Sequence, residues 1–89
     1  MDQFKLNGGT SFIVECETQE EIDFFWEKLS AIPEAEQCGW CTDKFGVTWQ
    51  VVPRILDEMM RDLQKAEAVT AVFMPMKKLN LEAIRDAGK

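Results

Sequence analysis

The chain has 89 residues, 46% of them hydrophobic and 29% charged, which is the balance of one folded domain and excludes a disordered segment. Its net charge of −6, with ten scattered Lys and Arg, excludes the basic footprint of a nucleic-acid binder. Histidine is absent, which removes the commonest neutral general base and the commonest metal ligand.

Asn7-Gly8-Gly9 signals a turn, and Ser11 to Cys16, with Phe12, Ile13 and Val14 at its centre, predicts a strand mostly buried on both faces. Thr18 stands three residues before Glu21, the spacing of a capping box. Ile22, Phe25, Trp26 and Leu29 then recur at helical spacing, and Pro33 ends the helix. Residues 36–52 predict a β-hairpin turning at Asp43-Lys44-Phe45-Gly46, with Gly46 at the position that needs positive φ. Along its second run Val47, Trp49 and Val51 share one face, and Thr48, Gln50 and Val52 the other. Pro53 closes that strand.

The remainder reads as helical. Ile55, Leu56, Met59, Met60 and Leu63 form one apolar stripe, and Val69, Val72, Phe73 and Met76 a second that Pro75 interrupts. Asn80 caps a last helix carrying Leu81 and Ile84, stopped by Gly88. The expectation is a single α+β domain over 1–89, with a core of about 10–53 and a helical tail of 54–87.

Four clusters invite a functional reading. Cys38 and Cys41 form a Cys-x-x-Cys, but in an extended run residues three apart point to opposite faces, and no helix follows to activate the first thiol. A zinc site would need a second pair of ligands, so two independent thiols are the simpler reading, and Cys16, Cys38 and Cys41 receive no role. The acidic run Glu15, Glu17, Glu20, Glu21 and Asp23 suits a helix N-terminus and a solvated face better than a cation site. Trp40 and Trp49, placed across the hairpin from one another, suit cross-strand packing before ligand stacking. Met59, Met60, Met74 and Met76 suit helix packing, with an adaptable dimer surface as the rarer use.

The stretch QCGWCTDKFGVTWQVVP closely resembles the Cys-Gly-Trp…Asp-Lys/Arg-Phe-Gly-x-Ser/Thr-Trp-Gln-x-Val-Pro signature of the PhnB-like branch of the vicinal-oxygen-chelate superfamily. That superfamily includes glyoxalases and bleomycin-resistance proteins, and this branch often carries a demethylubiquinone methyltransferase label. SFIVECETQEEIDFFWEKLSA resembles the family's strand and helix, and MKKLNLEAI its C-terminal helix, so the likeness runs over about residues 6–87. In the family pattern the position of Cys41 is usually apolar, which makes the Cys-x-x-Cys a coincidence.

The resemblance implies a half-module, the C-terminal one of a pair, lacking the N-terminal module. Such a half is expected to find its partner in a second copy, as a homodimer curling two sheets around one cleft. Metal-dependent relatives hold their ion with a His and a Glu, whose positions fall at Thr10 or Ser11 and at Gln50. Those residues are poor ligands, so the expectation is no metal, no cofactor and no methyl transfer.

The predicted site therefore comprises Gln50, Thr48 and Val52 on a concave face, with Phe12 and Val14 from the first strand, and Trp40 as a further ligand contact, while Trp49 and Val51 pack on the helix. A metal-free protein that binds or sequesters a small, partly apolar molecule is the favoured function. An enzyme using Gln50 or groups from a partner chain is the alternative, and a remnant without a ligand the third. With no secretory signal at Met1-Asp2-Gln3-Phe4-Lys5 and no membrane-spanning run, a cytoplasmic location is expected, with no nucleic-acid or membrane partner.

Overall fold

The computed structural model describes residues 11–89 and the backbone of a strand at Phe4–Asn7. The predicted turn at Gly8-Gly9 lies outside the described residues. In chain order the elements are β1 (Phe4–Asn7), β2 (Ser11–Cys16), α1 (Gln19–Leu29), a 3-10 turn (Pro33–Ala35), β3 (Trp40–Thr42), β4 (Thr48–Pro53), α2 (Ile55–Arg61), α3 (Leu63–Phe73) and α4 (Leu81–Ala87). This is the expected α+β class. The strands form one four-stranded sheet in the order β1-β2-β4-β3. β2 runs parallel to β4, and the β1–β2 and β3–β4 pairs are antiparallel.

α1 forms where its cap and periodicity place it. The Glu21 N–H donates to Thr18 Oγ1 at 3.2 Å, and Glu21 Oε1 reaches back to accept the Glu17 N–H at 2.6 Å. Its inward stripe places Ile22 and Trp26 in a core with Val14, Cys16, Cys41, Val51 and Leu81, against which Phe25, Leu29 and Trp49 also pack. A second core joins the tail: Val69, Leu79 and Ile84 are fully buried, with Val52, Leu56, Met59 and Met60 packed around them. Gln19 clasps the two parts, since its Nε2 donates to the Leu79 carbonyl at 3.1 Å and its Oε1 accepts the Leu81 N–H at 2.7 Å.

The β3–β4 turn matches expectation. Gly46 has φ +85°, and its N–H donates to the Asp43 carbonyl at 3.0 Å. Asp43 organises the whole turn: its carboxylate accepts the Phe45 and Val47 N–H groups and, at 2.9 Å, Trp49 Nε1. Those contacts, the Trp49 bond first, hold the Asp43 carboxyl below its ordinary range against the opposing effect of burial. A depressed folded pKa stabilises the fold above the unfolded value of about 3.9 and is lost as pH falls through the lower folded value. Stability in urea should therefore drop with acid below about pH 4, and Asp43→Asn should flatten that dependence. An unchanged acid slope in the variant would show that the Asp43 carboxylate contributes nothing through its ionisation.

Three expectations are corrected. β2 is less evenly buried than expected: Ser11, Val14 and Cys16 are buried and Ile13 and Glu15 half-buried, while Phe12 is 39% exposed. Leu63 does not continue the α2 stripe and is 88% exposed, because Asp62, with φ −89° and ψ 108°, ends α2 and caps α3 and so resets the helical phase. Cys38 is not in an extended run. Cys38 (φ +37°) and Gly39 (φ +90°) form a tight two-residue turn closed by reciprocal hydrogen bonds between Gln37 and Trp40. Among the described residues no helix is long and apolar enough to cross a membrane.

Candidate functional site

The register between β2 and β4 decides which side chains meet. Phe12 lies beside Trp49, Ile13 beside Gln50, Val14 beside Val51 and Glu15 beside Val52. Paired residues in a sheet share a face. Trp49 and Val51 turn to α1, as expected. Thr48, Gln50 and Val52 take the opposite face, and Trp40 joins them because β3 pairs it with Gln50.

Phe12 and Val14 do not. The parallel register carries them to the α1 side, where Val14 is fully buried in the core and the Phe12 ring lies 5.1 Å from that of Trp49. Ile13 and Glu15 take the places assigned to them. The sequence contains the signal for this, because Glu15 is the charged residue of β2 and its parity marks the less covered face. Trp40 and Trp49 likewise stand on opposite faces, since Cys41 is the residue paired with Trp49.

At the carboxyl end of β2 and β4 this face deepens into a cavity of about 350 Å³. Ile13, Glu15, Gln50 and Val52 form its floor, and Leu56, Asp57 and Met60 of α2 form a side wall beside Pro53. The chain enters that wall through Arg54, whose side chain is tied to Glu17 at 2.8 Å. Thr48 and Trp40 share the face but lie outside the cavity lining. The α2 residues were missed because the sequence places the helix without showing which strand face it turns over. Asp57 is paired with Arg61 at 2.8 Å. Gln50 Nε2 is buried and has no hydrogen-bond partner among the described residues.

The residues on this face do not fit a catalytic divalent metal. The positions the resemblance assigns to ligands carry an amide at Gln50 and a hydroxyl at Ser11, with Thr10 outside the described residues. Among the described residues, no group of three or more Cys, Asp or Glu side chains is arranged to hold an ion.

The thiols are separate groups with separate surroundings. Cys16 and Cys41 are fully buried, and burial pushes their pKa values up to about 12 and about 11, with Glu21 adding to the first and Glu36 and Asp43 to the second. All three cysteines are free, and Cys38 sits in its turn for a structural purpose. The N–H groups of Cys38 and Gly39 donate to the carbonyls of Met76 and Lys77, docking the segment before α4 onto the sheet.

No curated protein matches the chain. A family model described as 3-demethylubiquinone-9 3-methyltransferase matches residues 1–52, which takes in α1 and the sheet strands through Val52 and stops before α2. The match covers 52 of the 89 residues, more than half of the chain, and it includes the Cys-Gly-Trp turn and the Asp43-centred hairpin. The protein therefore belongs to the 3-demethylubiquinone-9 3-methyltransferase-like family, a PhnB-type domain of the vicinal-oxygen-chelate superfamily.

Proposed function

We propose that this chain is a metal-free binding protein for a small, partly apolar molecule, held in a cleft that a second copy completes. The observation that carries the reading is the sheet face opposite α1. It presents Ile13, Trp40, Gln50 and Val52, and α2 reaches over one end of it through the cavity wall. An amphipathic sheet finds its stable arrangement when its apolar face meets another layer. A second copy related by a two-fold axis would set the same patch against itself and deepen the cavity into a cleft. The pairing of half-modules implied by the family resemblance is of this kind, with this chain acting as one module of two. The cavity's size is at the small end of ligand pockets, which suits a site completed by another subunit.

Light scattering under reducing conditions tests the assembly. The expected molar mass is twice the 10.2 kDa of one chain. Trp40→Glu, which puts a charge on the shared face without touching the α1 core, should shift the population to monomer. A wild-type monomer at high concentration would end the dimer-cleft reading.

A further inference from the structure

A helix in a small domain is held in place chiefly by the apolar face it buries. α1 buries Ile22 and Trp26, α3 buries Val69, and α4 buries Leu81 and Ile84, whereas no residue of α2 is buried. Its apolar side chains, Leu56, Met59 and Met60, lean half-exposed on the second core. The chain on either side of α2 is anchored independently of it. Before the helix, the Arg54 N–H donates to the Cys16 carbonyl at 2.8 Å, and Arg54 Nε is tied to Glu17 at 2.8 Å. After it, Asp62 leaves the helical conformation, and its carboxylate accepts the Gln64 N–H at 3.0 Å as the cap of α3. No side chain caps the first turn of α2 itself.

Two methionines hold the helix between these points. Met60 Sδ accepts the Thr70 hydroxyl at 3.6 Å, a weak bond to a soft acceptor. Met59 makes the closer contact. Gly88 has φ −88°, a conformation open to any residue, so its backbone does not require glycine. The space around it does, because a Cβ at position 88 would collide with the terminal methyl of Met59. That methyl sits where a side chain would stand at the end of α4.

We propose that α2 is a lid on the 350 Å³ cavity, and that Met59 seated on Gly88 is the latch that keeps it shut. The helix swings about Arg54 and Asp62, carrying Leu56, Asp57 and Met60 out of the side wall. Local opening is easiest where the least apolar surface is given up, so α2 opens while α1, the sheet and α3 stay folded. The motion needs no ligand, so it stands or falls apart from the binding reading.

Amide hydrogen exchange of the full chain, read by NMR, tests the motion. Broadening of the Ile13 and Val52 methyl signals by a dissolved neutral nitroxide, 4-hydroxy-TEMPO, tests whether the cavity floor is uncovered. In the wild type, the Met59, Met60 and Arg61 amides should be protected at least about tenfold less than the Val51 amide, which is bonded to the Gly39 carbonyl. Gly88→Ala should lower protection in α2 by about a further tenfold and change Val51 by no more than about twofold, since the added methyl unseats Met59. Broadening of Ile13 and Val52 should grow in this variant, with the buried Val14 and Ile22 methyls unchanged. Met59→Ala removes the latch from the helix side and should give the same selective loss. Wild-type α2 amides as protected as Val51 would overturn the lid. Variants that leave α2 unchanged, or loosen every element equally, would overturn the latch. Faster exchange in α2 with no added broadening of Ile13 and Val52 would show a helix that frays without opening the cavity, and would overturn the inference as well.

Discussion

Gly39→Ala is expected to lower the stability of the fold by about 2–4 kcal/mol, from two separate causes. The backbone at position 39 has φ +90°, where a Cβ is strained. The added methyl would also stand 3.1 Å from Leu79 Cδ1 and 3.4 Å from the Val51 carbonyl oxygen. Leu79 is fully buried at the centre of the second core, so it has little room to retreat. Urea unfolding of Gly39→Ala, Leu79→Ala and the double variant divides the effect. Leu79→Ala alone should cost about 2–5 kcal/mol by leaving a cavity. The double variant should cost less than the two single losses together, by roughly 1 kcal/mol, because the truncated Leu79 makes space for the new methyl. Strict additivity would assign the whole Gly39 effect to backbone strain, and a Gly39→Ala protein as stable as wild type would refute the close approach altogether.

The second large effect concerns how α1 holds the sheet. Ile22 is fully buried among Val14, Cys16, Trp26, Val51 and Leu81, whereas Phe24, two residues on, is 54% exposed. Ile22→Ala should cost about 2–5 kcal/mol, a large share of a small domain's total stability of about 5–15 kcal/mol. Phe24→Ala removes a larger side chain and should change stability by no more than about 0.5 kcal/mol. Calorimetric melts of the two variants are the measurement. Comparable losses would mean that α1 is rotated from the face described.

These contrasts show where the sequence was readable. α1 was legible because its cap, its apolar stripe and its terminating proline agree with one another. The Asp43 turn was legible because Gly46 sits where only positive φ closes the hairpin, and Asn80 and Gly88 marked the ends of α4 for similar reasons. Each of these features is written within a few neighbouring residues.

The candidate site required long-range information. Whether Phe12 or Ile13 lies beside Gln50 is a one-residue question of register, and a slip of one residue exchanges the faces of a strand. Glu15 carried the answer, but only if its charge is weighed above the apolar run before it. Cys38 concealed a positive-φ turn because cysteine, unlike Asn or Gly, gives no sign of one. The cavity wall from α2 was invisible, because amphipathicity shows that Leu56 and Met60 are apolar without showing what they lean over.

The docking of the Cys38–Gly39 turn onto Met76 and Lys77 has a consequence for the order of events during synthesis. The sheet's own residues all leave the ribosome before the carbonyls that satisfy that turn, and before the Leu79 and Leu81 groups that Gln19 clasps. The nascent N-terminal part thus carries the family's recognisable pattern without being a finished folding unit. At a synthesis rate of about 5–20 residues per second, it waits seconds for the tail that completes its core. Over that interval the surfaces that Leu79, Leu81 and α2 later cover stand open, so prompt arrival of the tail protects the chain from misassembly.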